Sequence, residues 1–369
     1  MAIHAELKTG TPDSVGMSGE ALERAASVLQ GAVTAGQVSA AALTVARRGT
    51  VVLSRGYGRL RPEGDAPAVQ PDSIFLLASI TKPVTVCALM LLADRGQISL
   101  DDPASRYLPD FTDGERGQIR VRHLLSHTSG LPDMLPENIE LRRAHAPLSE
   151  FLRLVQKTPL LYPPNTGFRY QSMGILLAAE IVERVSGRRL RDVEQEEIFG
   201  PLGMKRSALG LGKFQIPETV WCGTSTSETE DQKRFGPNSA YWRDLGNPWG
   251  GLHSTAPDLA VLLQTLLNGG EYAGRRVFSA ASARAMTTDQ NLGLNAPWGL
   301  GWALARSKAW NFCGELTSPA TFGHTGSLGT VAWADPERDL VWVILTNQMD
   351  DNGSLLRRVS NAVSAAVVD

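Results

Sequence analysis

The 369-residue chain is 43% hydrophobic and 20% charged, with 36 Gly and 21 Pro, a composition that excludes a disordered, collagen-like or coiled-coil protein. Its 36 Lys and Arg against 38 Asp and Glu leave a net charge of -2, so there is no basic excess to release counterions and nucleic acid is not expected as a partner. Cys87, Cys222 and Cys313 lie far apart, without a CxxC or finger spacing, which predicts reduced, buried thiols and no disulfide framework.

In chain order, Leu22, Ala25, Ala26, Leu29 and Val33 recur at helical spacing behind Ser18, which predicts an amphipathic helix over 19–35 with Ser18 as its N-cap. Residues 40–47 and 50–57 flank Arg48-Gly49 as a hairpin. Helical spacing covers 79–95, 119–127, 147–156, 172–186 and 257–268, with Gly130, Pro132, Pro163, Pro164 and Gly187 at expected ends. Residues 205–248 read as a long irregular stretch, and loops of that length are usually functional. Strand-like runs follow at 298–305, 329–334 and 340–346, then a last helix over 354–367.

Strands near both termini with helices between predict an α/β (α+β) chain. Residues 1–78 and 252–369 would form a discontinuous antiparallel sheet domain flanked by helices, and 79–251 a mostly helical insertion. Residues 205–250 would supply an irregular pocket region, and a cleft is expected between the two units. Met1 to Gly19 contains no apolar signal-peptide core, and no stretch reaches the roughly 18 apolar residues of a membrane helix. A cytoplasmic protein with no membrane partner is the resulting expectation.

The sequence contains no GxSxG, HExxH, Walker A or GxGxxG, which argues against the commonest serine hydrolases, zinc peptidases and nucleotide enzymes. It does contain Ser79-Ile80-Thr81-Lys82 at the start of an apolar helical run. A spacing of three places Ser79 and Lys82 on one helix face. Burial there would lower the lysine pKa and leave an amine able to take the serine proton. Tyr170 precedes the 172–186 helix, and an ammonium beside a phenol eases loss of its proton. His324-Thr325-Gly326-Ser327 opens the strand expected at 329, where a glycine permits close backbone approach. His123 and His127 are four apart but lack the glutamate of a zincin, and helix-end packing is the expected role. No metal or cofactor is predicted.

Ser79-x-x-Lys82, Tyr170-x-Ser172 and His324-Thr325-Gly326 together resemble the three motifs of the serine β-lactamase and penicillin-binding-protein superfamily. The likeness is greatest to its class C and D-alanyl-D-alanine peptidase branch and to the esterases of that fold. Leu124-Leu125-Ser126-His127-Thr128-Ser129-Gly130-Leu131 is similar to that branch's segment between the first two motifs. Trp249-Gly250-Gly251 is similar to one in its esterases, and Leu345-Thr346-Asn347 to its last core strand.

The resemblance implies a β-lactamase/transpeptidase-like fold and a covalent acyl-enzyme on Ser79. Lys82 and Tyr170 would relay its proton, with the choice of formal base left open. The backbone N–H groups of Ser79 and Ser327 would form the oxyanion hole, and His324 would contact substrate or polarise Tyr170. Two departures bear on substrate: Ser172 replaces the usual asparagine, and His324 the usual lysine. The first removes a carboxamide that would hold a lactam or peptide amide, the second a fixed charge facing its carboxylate. Ser172, His324, Thr325 and Gly326 are therefore expected at the substrate, with Tyr241, Trp242 and Trp249 as aromatic walls. A serine carboxylesterase acting on small acyl esters is the leading expectation. Acyl transfer to an alcohol in the manner of lovastatin acyltransferase, or lactam or D-alanyl-D-alanine peptide hydrolysis, are the alternatives. Intact Ser79, Lys82 and Tyr170 weigh against a non-catalytic binding domain.

Overall fold

The computed structural model describes residues 6–369. Met1 to Ala5, which the expected sheet domain includes, lie outside the described residues. Its strands are β1 (Lys8–Thr9), β2 (Ala40–Arg47), β3 (Thr50–Gly58), β4 (Phe75–Leu76), β5 (Ala208–Leu209), β6 (Leu252–Ser254), β7 (Glu271–Tyr272), β8 (Arg275–Arg276), β9 (Ala303–Leu304), β10 (Phe322–Gly326), β11 (Thr330–Asp335) and β12 (Leu340–Thr346). Its α-helices are α1 (Gly19–Thr34), α2 (Thr81–Asp94), α3 (Val121–Leu125), α4 (Asn138–Arg143), α5 (Leu148–Val155), α6 (Met173–Ser186), α7 (Leu190–Glu194), α8 (Glu230–Phe235), α9 (Ala240–Leu245), α10 (Ala256–Leu267), α11 (Ala280–Met286) and α12 (Ser354–Ser364).

Seven strands form the main sheet in the order β1-β3-β2-β12-β11-β10-β9. Every pairing in it is antiparallel except the short parallel contact of β1 with β3. The first hairpin and the last strands meet at its centre, where Ala41 pairs with Thr346 and Arg47 with Leu340. Side-chain alternation along these strands divides the core in two. Leu43, Val45, Trp333, Trp342 and Ile344 pack beneath α1 and α12. Ala42, Val341, Val343 and Leu345 face the opposite layer, which holds α2, α6 and α10. Each fully buried large apolar side chain contributes about 1.5–3 kcal/mol. Ser18 caps α1 through its hydroxyl, which accepts the Ala21 N–H at 3.2 Å.

Helix α2 is buried around its whole circumference from Thr81 to Leu92, as an almost uniformly apolar helix requires. A three-stranded sheet, β4-β6-β5, joins the segment before α2 to the segment before α10, and its β5–β6 pairing links the two expected units. Leu77 N–H donates to Leu252 O at 2.9 Å, and Leu252 N–H to Thr81 Oγ1 at 2.9 Å. On the other side Thr330 Oγ1 donates to Leu77 O at 2.8 Å. Strand β10 presses so closely here that a Cβ on Gly326 would lie 2.1 Å from the Leu77 carbonyl oxygen.

Several expectations are corrected. The stretch 205–248 is not uniformly irregular: it contains β5, α8 and α9, the helices started by Thr229 and Ser239 accepting the Gln232 and Trp242 N–H groups. The run 298–305 is a strand only at Ala303–Leu304, because Gly299 N–H bonds back to Trp302 O and Gly301 sits at φ 77°. His324-Thr325-Gly326 does not open β11 but lies in β10, paired with it. The final helix stops at Ser364, after which Val367 bridges to Met17. The three cysteines are free and buried, and no described helix is long and apolar enough to cross a membrane.

Candidate active site

Residue 78 prepares the site. Ala78 has φ 50°, a left-handed backbone that costs a non-glycine residue about 1–3 kcal/mol and clusters at functional turns. A single 3-10 turn, Ala78–Ile80, then runs into α2, so Ser79 stands at the mouth of the buried helix. Lys82 follows one turn later and is 1% exposed. Its Nζ lies 3.0 Å from Ser79 Oγ and donates to Trp249 O at 3.2 Å. Burial lowers its pKa to about 7, and the carboxylate of Asp133 opposes that shift.

Tyr170 approaches from the loop before α6. Its ring centroid lies 4.7 Å from Lys82 Nζ, and its hydroxyl is buried without a well-formed hydrogen bond. Burial pushes its ionisation well above the ordinary phenol value, and Ser79 beside it offsets only part of that. The expected easing of phenol deprotonation is therefore reversed: with Lys82 held near neutrality, desolvation outweighs any ammonium.

Ser79, Lys82, Tyr170, Ser172, Trp242, Trp249 and Ser327 all line one cavity of about 330 Å³. Other expected residues are placed elsewhere. His324 is fully buried behind Tyr170, their ring centroids 5.9 Å apart. Its Nδ1 bonds to Thr325 O at 2.8 Å, and burial, reinforced by Lys82, lowers its pKa to about 3. It is neutral and faces the phenol, not the cavity. Thr325 is buried too, and Gly326 seats β10 against Leu77. Tyr241 turns away: its hydroxyl donates to Ala146 O at 2.8 Å and its ring stacks on His145 at 4.6 Å.

Sequence reasoning missed Asp133, Met134, Arg142, Pro237 and Trp310 in the cavity wall. Asp133 Oδ1 accepts the Ser172 hydroxyl at 2.7 Å, and Asp133 O the Ser172 N–H at 3.1 Å. It also missed the support given by His127, which is fully buried at φ 63° with its ring 4.7 Å from Tyr170. His127 Nδ1 accepts the Gln171 N–H at 3.3 Å, which fixes the loop carrying the phenol. Among the described residues no His, Cys, Asp and Glu group is disposed to hold a metal. A larger hollow of about 470 Å³ is lined by Ser149, Glu180, Glu183, Arg189 and Arg191 among others.

This chain matches the Beta-lactamase family model over residues 25–366. It is 29% identical over 374 residues to a Salmonella agona protein provisionally named D-alanyl-D-alanine carboxypeptidase, covering 93% of this chain and 86% of that protein. Among solved structures it resembles EstCE1, described as a hydrolase with promiscuous acyltransferase activity, at TM-score 0.76 and 23% identity, covering 94% of this chain and 99% of the other. It resembles a family VIII carboxylesterase at TM-score 0.76 and 21% identity, covering 94% and 99%. Likeness at that identity speaks for the fold alone. With the family match running over nearly the whole chain, the protein belongs to the Beta-lactamase family, as a hydrolase of the serine β-lactamase and penicillin-binding-protein superfamily.

Proposed function

We propose that the protein is a serine esterase that cleaves small carboxylic esters through an acyl-enzyme on Ser79. The observation that carries this reading is the 3.0 Å approach of a buried, near-neutral Lys82 amine to Ser79 Oγ. Lys82 takes the Ser79 proton as the oxygen attacks the acyl carbonyl. Tyr170, held as a phenol by burial, gives its proton to the departing alkoxide and is reprotonated from Lys82. Water then resolves the ester on Ser79 by the reverse relay. The N–H groups of Ser79 and Ser327 receive the oxyanion, each such donor being worth about 3–4 kcal/mol.

Esters are favoured over lactams and D-alanyl peptides by what surrounds this relay. The superfamily's fixed lysine is replaced by a neutral, buried His324, and Ser172 spends its hydroxyl on Asp133. Neither is placed to hold a substrate carboxylate or amide. Acyl transfer is a second reading, supported by the aromatic walls of Trp242, Trp249 and Trp310, which suit an organic alcohol.

The test uses 4-nitrophenyl butyrate, nitrocefin and a fluorophosphonate probe. The ester should be turned over at least about a hundredfold faster than nitrocefin, a difference of some 2.7 kcal/mol in barrier. The probe should add its mass to Ser79 and to nothing in Ser79→Ala. Equal rates on the two substrates, or an unlabelled Ser79, would contradict the reading. A transfer product dominating at modest alcohol concentration would favour the second.

A further inference from the structure

We infer that the cleft selects substrates bearing a cationic nitrogen, with Asp133 as the specificity-determining residue that receives it. This rests on the esterase reading above and narrows its substrate class.

Asp133 is the only acidic side chain among the described residues lining the cavity. The Ser172 hydroxyl and N–H hold its Oδ1 and backbone carbonyl, so its position is set by the residue two beyond Tyr170. Its second carboxylate oxygen receives no donor among the described residues. Among the described residues no ion pair takes that charge, although it acts through space on Lys82. Arg142, also in the wall, lies 3.8 Å over the Trp242 ring and donates to Phe235 O at 2.9 Å. Lys82 is turned to Ser79 and Trp249 O. His324 and His127 are fully buried behind Tyr170.

A carboxylate in a cavity that Trp249 and Trp310 also line attracts an ammonium, quaternary ones included, by its charge, and indoles in the same wall add to that attraction wherever the cation meets a ring face. The same carboxylate repels an anionic substrate, which adds a discriminating element to the loss of the superfamily lysine. The cation could sit on either side of the scissile ester, and charge alone is the shared chemistry.

Two isosteric pairs separate these sources, each differing by N⁺ against carbon. On the acyl side they are 4-nitrophenyl 4-(trimethylammonio)butanoate and 4-nitrophenyl 5,5-dimethylhexanoate. On the alcohol side they are choline butyrate and 3,3-dimethylbutyl butyrate, followed by pH-stat. In the wild type at least one pair should show a kcat/KM ratio of about tenfold or more in favour of the cation. Asp133→Asn, whose amide oxygen still accepts from Ser172, should bring that ratio to within about threefold of unity. Any effect of Asp133 on Lys82 acts on both members of a pair and cancels in the ratio. Wild-type ratios near or below one in both pairs would overturn the inference, as would a preference that survives Asp133→Asn. Fluorophosphonate labelling of Ser79 alongside tells the two readings apart. A labelled serine without charge preference removes only this inference, and an unlabelled serine removes the esterase reading with it.

Discussion

Two buried cations, Lys82 in the cleft and Arg47 at the end of β2, face the same cost of leaving water and meet it in opposite ways. Arg47 is 2% exposed and donates to Val15 O and Gly16 O at 2.7 Å, Arg338 O at 3.0 Å and Asp369 O at 3.1 Å, with the Asp369 carboxylate completing the shell. Lys82, equally buried, has one serine oxygen and one carbonyl. Its pKa falls to about 7, so the charge itself is surrendered. A guanidinium cannot give up its proton and must be solvated by the fold, whereas an amine can, and becomes a base. The first arrangement fastens Asp369 to the sheet; the second keeps a reactive amine with two partners in place of a full shell.

The sharpest way to break this contrast is to remove each cation. Lys82→Met should lower kcat/KM on 4-nitrophenyl butyrate by at least about a thousandfold, because a proton relay is lost. Its folded value of about 7 lies below the usual 10.5. Between those values the unfolded chain binds more protons, so wild-type stability gained from this site rises with pH from about 7 and the penalty is fully present below. Melting temperatures of Lys82→Met should lack that rise and should not fall below wild type at pH 6. A variant that melts earlier there, or stays active, would contradict the contrast.

Arg47→Met should do the reverse. Leaving three carbonyls and the oxygens of Asp369 without their donor costs about 2–4 kcal/mol in denaturant unfolding, with kcat per folded molecule unchanged. A loss under about 1 kcal/mol would mean that the shell is ornamental.

The smallest effect is in pH. Lys82 must be neutral to act, so kcat/KM should climb about tenfold per unit below pH 7 and level above it. Arg47→Met should trace the same curve. A profile flat through pH 6–8 would deny the amine its role.

How far the sequence disclosed this design depends on whether the signal is local. Ser79 and Lys82 are one helical turn apart in an apolar run, so their shared face follows from period alone. β2, β3 and β12 announce themselves through branched and apolar residues. Strand β10 does not, because Phe322-Gly323-His324-Thr325-Gly326 is two-fifths glycine, and only pairing with β11 and β9 makes it a strand. Tyr241 and Trp242 were expected side by side in the pocket, but α9 turns neighbouring residues about 100° apart, and only Trp242 reaches it. Asp133 and Trp310 arrive from loops remote in sequence, where no spacing rule connects them to Ser79.

The most direct measurement is an NMR titration of the lysine side chains, of which the chain has only seven, following the ¹³Cε shift of the resonance missing in Lys82→Met. A midpoint close to 7 would establish the neutral amine beside Ser79. A midpoint near the ordinary 10.5 would leave Lys82 a permanent ammonium and contradict the account.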